Sequence, residues 1–148
     1  MGDIVCAIRG GPGSYQTRRV ALQRAAERGV NVHFLSIVDP VAYEPLHEGE
    51  QHAIRAEMAW RDLAMARAIA AHAGLDDVRF TVAVRVGALA DTISAYAKEV
   101  EAGSILIGSP RPAADAALAD GGTEPFAEEL QQNVGVNVFV VTPDKPMD

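Results

Sequence analysis

The sequence predicts an α/β protein built on an open parallel sheet of five strands, with helices on both faces. Three observations predict it. Short apolar runs alternate with longer stretches of helical periodicity along the whole chain. The joints between them are short and carry glycine or proline, as in Gly10-Gly11-Pro12-Gly13, Asp39-Pro40 and Gly108-Ser109-Pro110. Several runs are also apolar at consecutive positions, Ile4-Val5-Cys6-Ala7-Ile8 among them, which suits a central strand covered on each side. Strands and helices that alternate in this way imply right-handed crossovers.

Each element follows from local residues. Asp3 to Ile8 is the first strand, and Ser14 can cap the helix after it, whose buried stripe is Val20, Ala21, Leu22 and Ala25. Gly29 suits the C′ position. Asn31 to Val38 is the second strand. A long helix runs from about Glu50 to Ala73 and is closed by Gly74, with Ala59, Leu63, Ala66, Ala70 and Ala73 on one stripe and Glu57 and Arg61 paired on the outer side. Val78 to Val86 alternates apolar and polar residues, the pattern of an edge strand with one wet face. Ala90, Ile93, Ala97 and Val100 form a short amphipathic helix that Gly103 ends. Ser104 to Ile107 is the fourth strand. Glu124 to Asn133, capped by Thr123, is the last helix, and Val136 to Val141 the last strand.

The chain has 148 residues, 49% of them apolar, enough for one domain spanning 1–148 with its own core. Net charge is −7 with a pI near 5.0, and no run of Lys and Arg offers a nucleic-acid surface. Arg18-Arg19 reads as the solvated face of a helix. Cys6 is the only cysteine, so no internal disulfide forms, and its apolar run makes it a small buried hydrophobe. No apolar stretch approaches the roughly 20 residues that cross a membrane, and no signal-peptide pattern opens the chain. A soluble, cytoplasmic protein is the expectation.

In an open parallel sheet, ligands bind beyond the carboxyl ends of the strands, where the crossovers change direction. That points to Arg9 to Ser14, Val38 to Val41, Gly108 to Pro112 and Gly121 to Glu124. Two of these segments are glycine-rich and lead into a helix, a combination that suits a phosphate because glycine lets backbone N–H groups approach an anion at a helix N-terminus. The same glycines can equally serve only to turn the chain, with Thr123 only capping a helix. Gly11-Pro12-Gly13 lacks the third glycine of a dinucleotide fingerprint, since Gln16 occupies that place.

Taken in order, these segments resemble the universal stress protein family. Its first strand ends in a sequence like Val-Ala-Val-Asp-Gly-Ser, where this chain has Cys6-Ala7-Ile8-Arg9-Gly10-Gly11. Ile37-Val38-Asp39-Pro40 is similar to the end of its second strand, and Val86-Gly87-Ala88-Leu89-Ala90-Asp91-Thr92-Ile93 to the entry of its third helix. Ser104-Ile105-Leu106-Ile107-Gly108-Ser109 looks like its fourth strand, and Asn133 to Val141 like its closing strand. The resemblance spans essentially the whole chain. It implies a Rossmann-like fold of the adenine nucleotide alpha hydrolase type, with strand order 3-2-1-4-5.

The resemblance also implies a nucleotide cleft for ATP or AMP, with Mg only if nucleotide is bound. Its lining would be Ala7, Ile8, Arg9, Val38, Ile107, Gly108, Pro110, Arg111, Gly121, Gly122, Thr123 and Glu124. The family's phosphate motif is Gly, two residues, Gly, nine residues, Gly, then Ser or Thr. Gly108 matches its first glycine, but Arg111 stands at the second, and the hydroxyl residue comes one place late in Gly121-Gly122-Thr123. The family's Asp after the first strand is Arg9, a donor-only guanidinium that cannot accept hydrogen bonds from a ribose. Arg111 can still grip a phosphate, and either arginine can instead fill the cleft against Asp39 or Glu124. The reading is a stress-response module with a degenerate or altered ATP/AMP cleft and no catalysis. The alternatives are a weak nucleotide hydrolase or adenylyl- or phosphoryl-transfer enzyme, which would need a carboxylate such as Asp39 or Glu124, and a ligand-free scaffold. Family dimers pair through the last strand, which implies a homodimer through Val136, Val138, Phe139, Val140 and Val141. Any other protein partner is unspecified by the sequence.

The remaining polar residues read plainly. His47 and His52 do not share a helical face and read as solvated side chains, and His33 and His72 have no evident acidic partner, so no metal site is expected. Asp91 favours a helix start, while Asp115 and Asp120 belong to a loop. Ser14, Ser36, Ser94, Ser104 and Ser109 have no linked base. Trp60 and Tyr96 are packing or partner-contact residues.

Overall fold

The structure, a computed structural model, describes residues 2–8, 13–38, 48–108 and 123–141. In chain order its elements are β1 (Asp3–Ile8), α1 (Gly13–Arg28), β2 (Val32–Val38), α2 (Glu48–Ala73), β3 (Phe80–Val86), α3 (Leu89–Glu99), β4 (Ala102–Gly108), α4 (Thr123–Val134) and β5 (Asn137–Val141). The strands form one sheet in the order β3-β2-β1-β4-β5, and every pairing is parallel. The expected fold class and strand order are both present, with β3 and β5 at the edges.

Alternation along β1 explains how one apolar run serves two cores. Ile4, Cys6 and Ile8 point to the face covered by α1 and α2, where they pack with Phe34, Leu106, Leu22 and Ile69. Val5 points to the face covered by α3 and α4, among Leu35, Ile105, Ile93 and Leu130. Both faces are covered by helices, so the run from Ile4 to Ile8 is apolar throughout.

The helix ends follow local chemistry. Gly29 and Gly74 take left-handed backbone at φ 69° and 72°, and the following amides reach back to Ala25 and Ala70 at 3.1 and 2.8 Å, as in a Schellman turn. Gly103 does not end α3, against expectation. Glu101, at φ 54°, makes that turn. Gly103 instead lies within β4, against Gly2, where a Cβ would meet the Gly2 nitrogen at 2.8 Å. Its glycine answers to strand approach rather than to a helix terminus.

Candidate functional site

The carboxyl ends of the strands share one rim of the sheet. Ala7 of β1 pairs with Ile107 of β4, so Ile8 and Gly108 are the next residues along two adjacent strands. This is the switch point: the path from β1 leads to β2 on one side, while β4 lies on the other. Ile8, Val38 and Ile107 are buried, and Ala7 and Gly108 are half-buried. Gly108 has a steric reason to be glycine, because a Cβ there would come within 2.8 Å of the Thr17 hydroxyl on α1. Thr17 is itself buried. The first turns of α1 therefore close directly onto the end of β4.

Of the residues named from sequence, Ala7, Ile8, Val38, Ile107 and Gly108 come together at this rim. Thr123 and Glu124 open α4, whose helix begins at Thr123, one residue earlier than expected. Arg9, Asp39, Pro110, Arg111, Gly121 and Gly122 lie outside the described residues, as do His47, Ser109, Asp115 and Asp120. Of the residues expected to pair a second chain, Val136 precedes β5, and Val138, Phe139, Val140 and Val141 lie in it. That strand has β4 as its one neighbour in the sheet.

Beneath α1 and α2 is a polar network that the sequence reading missed. Arg18 Nη2 donates to Asp62 Oδ1 at 2.7 Å, and the Ser36 hydroxyl donates to Asp62 Oδ2 at 2.6 Å. The Arg18 and Asp62 side chains are 3% and 12% exposed. Arg18 thus does not lie on a solvated helix face. It turns inward because a carboxylate waits on the neighbouring helix, and a buried guanidinium requires such a partner. Arg19 is exposed, as expected. A sequence signal existed: Asp62 falls between Ala59, Leu63 and Ala66, on the apolar side of α2.

Ser36 accordingly has an acidic partner, although that carboxylate is already held by Arg18 and no histidine completes a relay among the described residues. Cys6 lies in the same core. Burial pushes its thiol up to about 12, the nearby Arg18 charge working against that rise. It stays a neutral thiol and packs as a small hydrophobe, as expected.

His33 also departs from expectation. Its Nε2 lies 2.9 Å from Asp3 Oδ2 and its Nδ1 2.8 Å from the Thr81 hydroxyl. The partner was hidden because strand pairing, not sequence proximity, brings Asp3 beside His33. This group sits at the amino ends of β1, β2 and β3, the opposite rim from the switch point. Tyr96 is buried and its ring makes a T-shaped pair with that of His33, so it is a packing residue, while Trp60 is 74% exposed. His52 and His72 are exposed. Among the described residues, no three His, Cys, Asp or Glu side chains gather as a metal site would require, and no helix is long and apolar enough to cross a membrane.

Comparison with known proteins bears on the whole chain. Among solved structures, a universal stress protein in complex with cAMP is similar at 17% identity over 97% of this chain and 98% of that one, with a TM-score of 0.64. A universal stress protein from Archaeoglobus fulgidus in complex with dAMP is similar at 18% identity over 97% and 98%, TM-score 0.58. One from Lactobacillus plantarum is similar at 18% over 95% and 97%, TM-score 0.69. At such identities the likeness is one of fold. No curated protein matches the chain in sequence. The model of the universal stress protein family, however, matches residues 1–142, and the chain belongs to that family.

Proposed function

We propose that the chain is a one-domain stress-response module whose cleft, at the carboxyl ends of β1 and β4, is an altered adenine-nucleotide site without turnover. The observation that carries this reading is the pairing of Ala7 with Ile107. It makes Arg9 the first residue beyond β1 on the strand beside Gly108, where family members hold an Asp. A guanidinium there donates but cannot accept, so the ribose loses its acceptor. The likeness to proteins solved with cAMP and dAMP supports an adenylate as the ligand class. Gly108, at the end of β4, matches the first glycine of the family's phosphate motif, which supports retention of an anion subsite next to the altered ribose subsite. The open β5 edge supports a homodimer formed by strand pairing with a second copy.

Calorimetry with ATP and AMP, with and without magnesium, tests the ligand. Weak heats are expected from the native chain, and affinity about ten-fold tighter from Arg9→Asp combined with Arg111→Gly. Unchanged affinity in the double variant would contradict the altered site. Phosphate release from ATP that stops in Asp39→Ala would overturn the absence of turnover.

A further inference from the structure

Helix α2 spans 26 residues, and its two sides differ. The inner side carries Asp62, Ala66, Ile69 and Ala70, all buried. The outer side carries Ala53, Ala56, Trp60, Ala64, Arg67 and Ala71, all exposed. Those outer residues recur at spacings of three and four, the repeat of a helix-packing seam. A solvated helix face usually bears long charged side chains. Here it bears mostly alanines, on either side of the only tryptophan of the chain, itself 74% exposed, so that the small residues leave room beside a large apolar one for a second helix.

The charges beside this seam are sorted along the helix. Glu50 and Glu57 precede Trp60, while Arg61 and Arg67 follow it. Arg61 pairs with Glu57 in its own chain at 3.2 Å, whereas Arg67 makes no ion pair with any described residue. A second α2 laid antiparallel, with a two-fold axis near Trp60, sets each residue opposite the one equally far beyond the axis. Arg67 of one copy then faces Ala53 of the other, one helical turn from both Glu50 and Glu57. Acidic half meets basic half at both ends, and the opposed helix dipoles agree with that arrangement.

We propose that the outer face of α2 is a self-association surface that joins two copies of this chain through an antiparallel α2–α2 seam centred on Trp60. The contact is independent of the β5 edge, so a chain that uses both surfaces assembles beyond a dimer.

Trp60 reports on the seam directly, since its emission is the chain's whole tryptophan signal. On concentrating the native protein, the emission moves to the blue and iodide quenching falls, in step with a rise in mass by sedimentation equilibrium. Arg67→Glu, an outward substitution that leaves thermal unfolding unchanged, halves the mass of the assembly and restores the red emission. Adding Glu57→Arg to it recovers both. Three results would overturn the proposal: emission that stays red at millimolar protein, a dimer in which Trp60 remains fully quenchable, or a blue shift that needs a cell extract. The second would mark association through another surface such as β5, and the third a foreign partner for this face.

Discussion

The two faces of the sheet bury comparable aliphatic cores yet are closed in different ways. Under α1 and α2 the packing is interrupted by Arg18, Asp62 and Ser36, which tie two helices and a strand together by directional bonds. Under α3 and α4 the core of Val5, Leu35, Ile93, Ile105 and Leu130 is made of apolar side chains, α3 adds one buried hydroxyl, that of Ser94, and Arg85 reaches Glu99 at 3.0 Å with both side chains well exposed. Apolar packing fixes how closely a helix sits but tolerates small rotations. A buried ion pair does not, because a shift leaves a charge unpaired in a poorly solvating interior. The directional tie lies on the side whose helix α1 brings Thr17 against Gly108 at the candidate cleft.

The sharpest way to break that comparison is Asp62→Ala. It strands the Arg18 guanidinium and removes the acceptor of Ser36, and it should cost about 3–5 kcal/mol in urea unfolding. Replacing both partners at once, Arg18→Met with Asp62→Leu, should cost less than the single change, because no charge is left buried. A single-variant loss below about 1 kcal/mol would mean that water solvates the pair and that the two faces are alike.

Leu130→Ala probes the other face. Leu130 is fully buried, and its truncation should cost about 3 kcal/mol through lost transfer energy and a residual cavity. Because the two sites lie on opposite sides of the sheet and share no partner, Leu130→Ala and Asp62→Ala should add to within about 0.5 kcal/mol. A larger coupling would show that the sheet transmits strain between its faces.

Most of the fold is legible in the sequence because it rests on local signals. Continuous apolar runs mark the inner strands, the alternation of Val82, Val84 and Val86 marks an edge, and Gly29 and Gly74 stop their helices. The edge position of β5 followed from the order that the family resemblance implies. The polar network is legible only in half. Asp62 stands out as a charge on an apolar stripe, but its partner is 44 residues away, and nothing local says which arginine turns inward. The same holds for Asp3 and His33, which meet only once β1 and β2 are in register. At the candidate cleft, the strand ends Ile8, Val38 and Gly108 are read from the same apolar runs. Gly108 carries two meanings that sequence cannot separate, an anion approach and a close contact with Thr17, and the second emerges only from packing.

The smallest expected effect belongs to the amino rim, on the α3–α4 side, where His33 meets Asp3. Partial burial tends to raise the Asp3 carboxyl, but the hydrogen bond and charge of His33 and the Asn31 amide outweigh it and hold the group below its ordinary value. The unfolded chain therefore binds this proton more readily than the folded one, and stability rises with pH across that window. The contribution is complete above the unfolded carboxyl value of about 3.9 and is lost as pH falls through the lower folded value. Comparison with Asp3→Asn isolates it. The native chain should be more stable by less than about 1 kcal/mol at neutral pH, since the pair is partly wet, and the gap should start to close as pH drops through about 4. A gap that widens on acidification would reverse the assigned direction. One of several kcal/mol would make this rim as dry as the Arg18–Asp62 site and erase the contrast between the two faces.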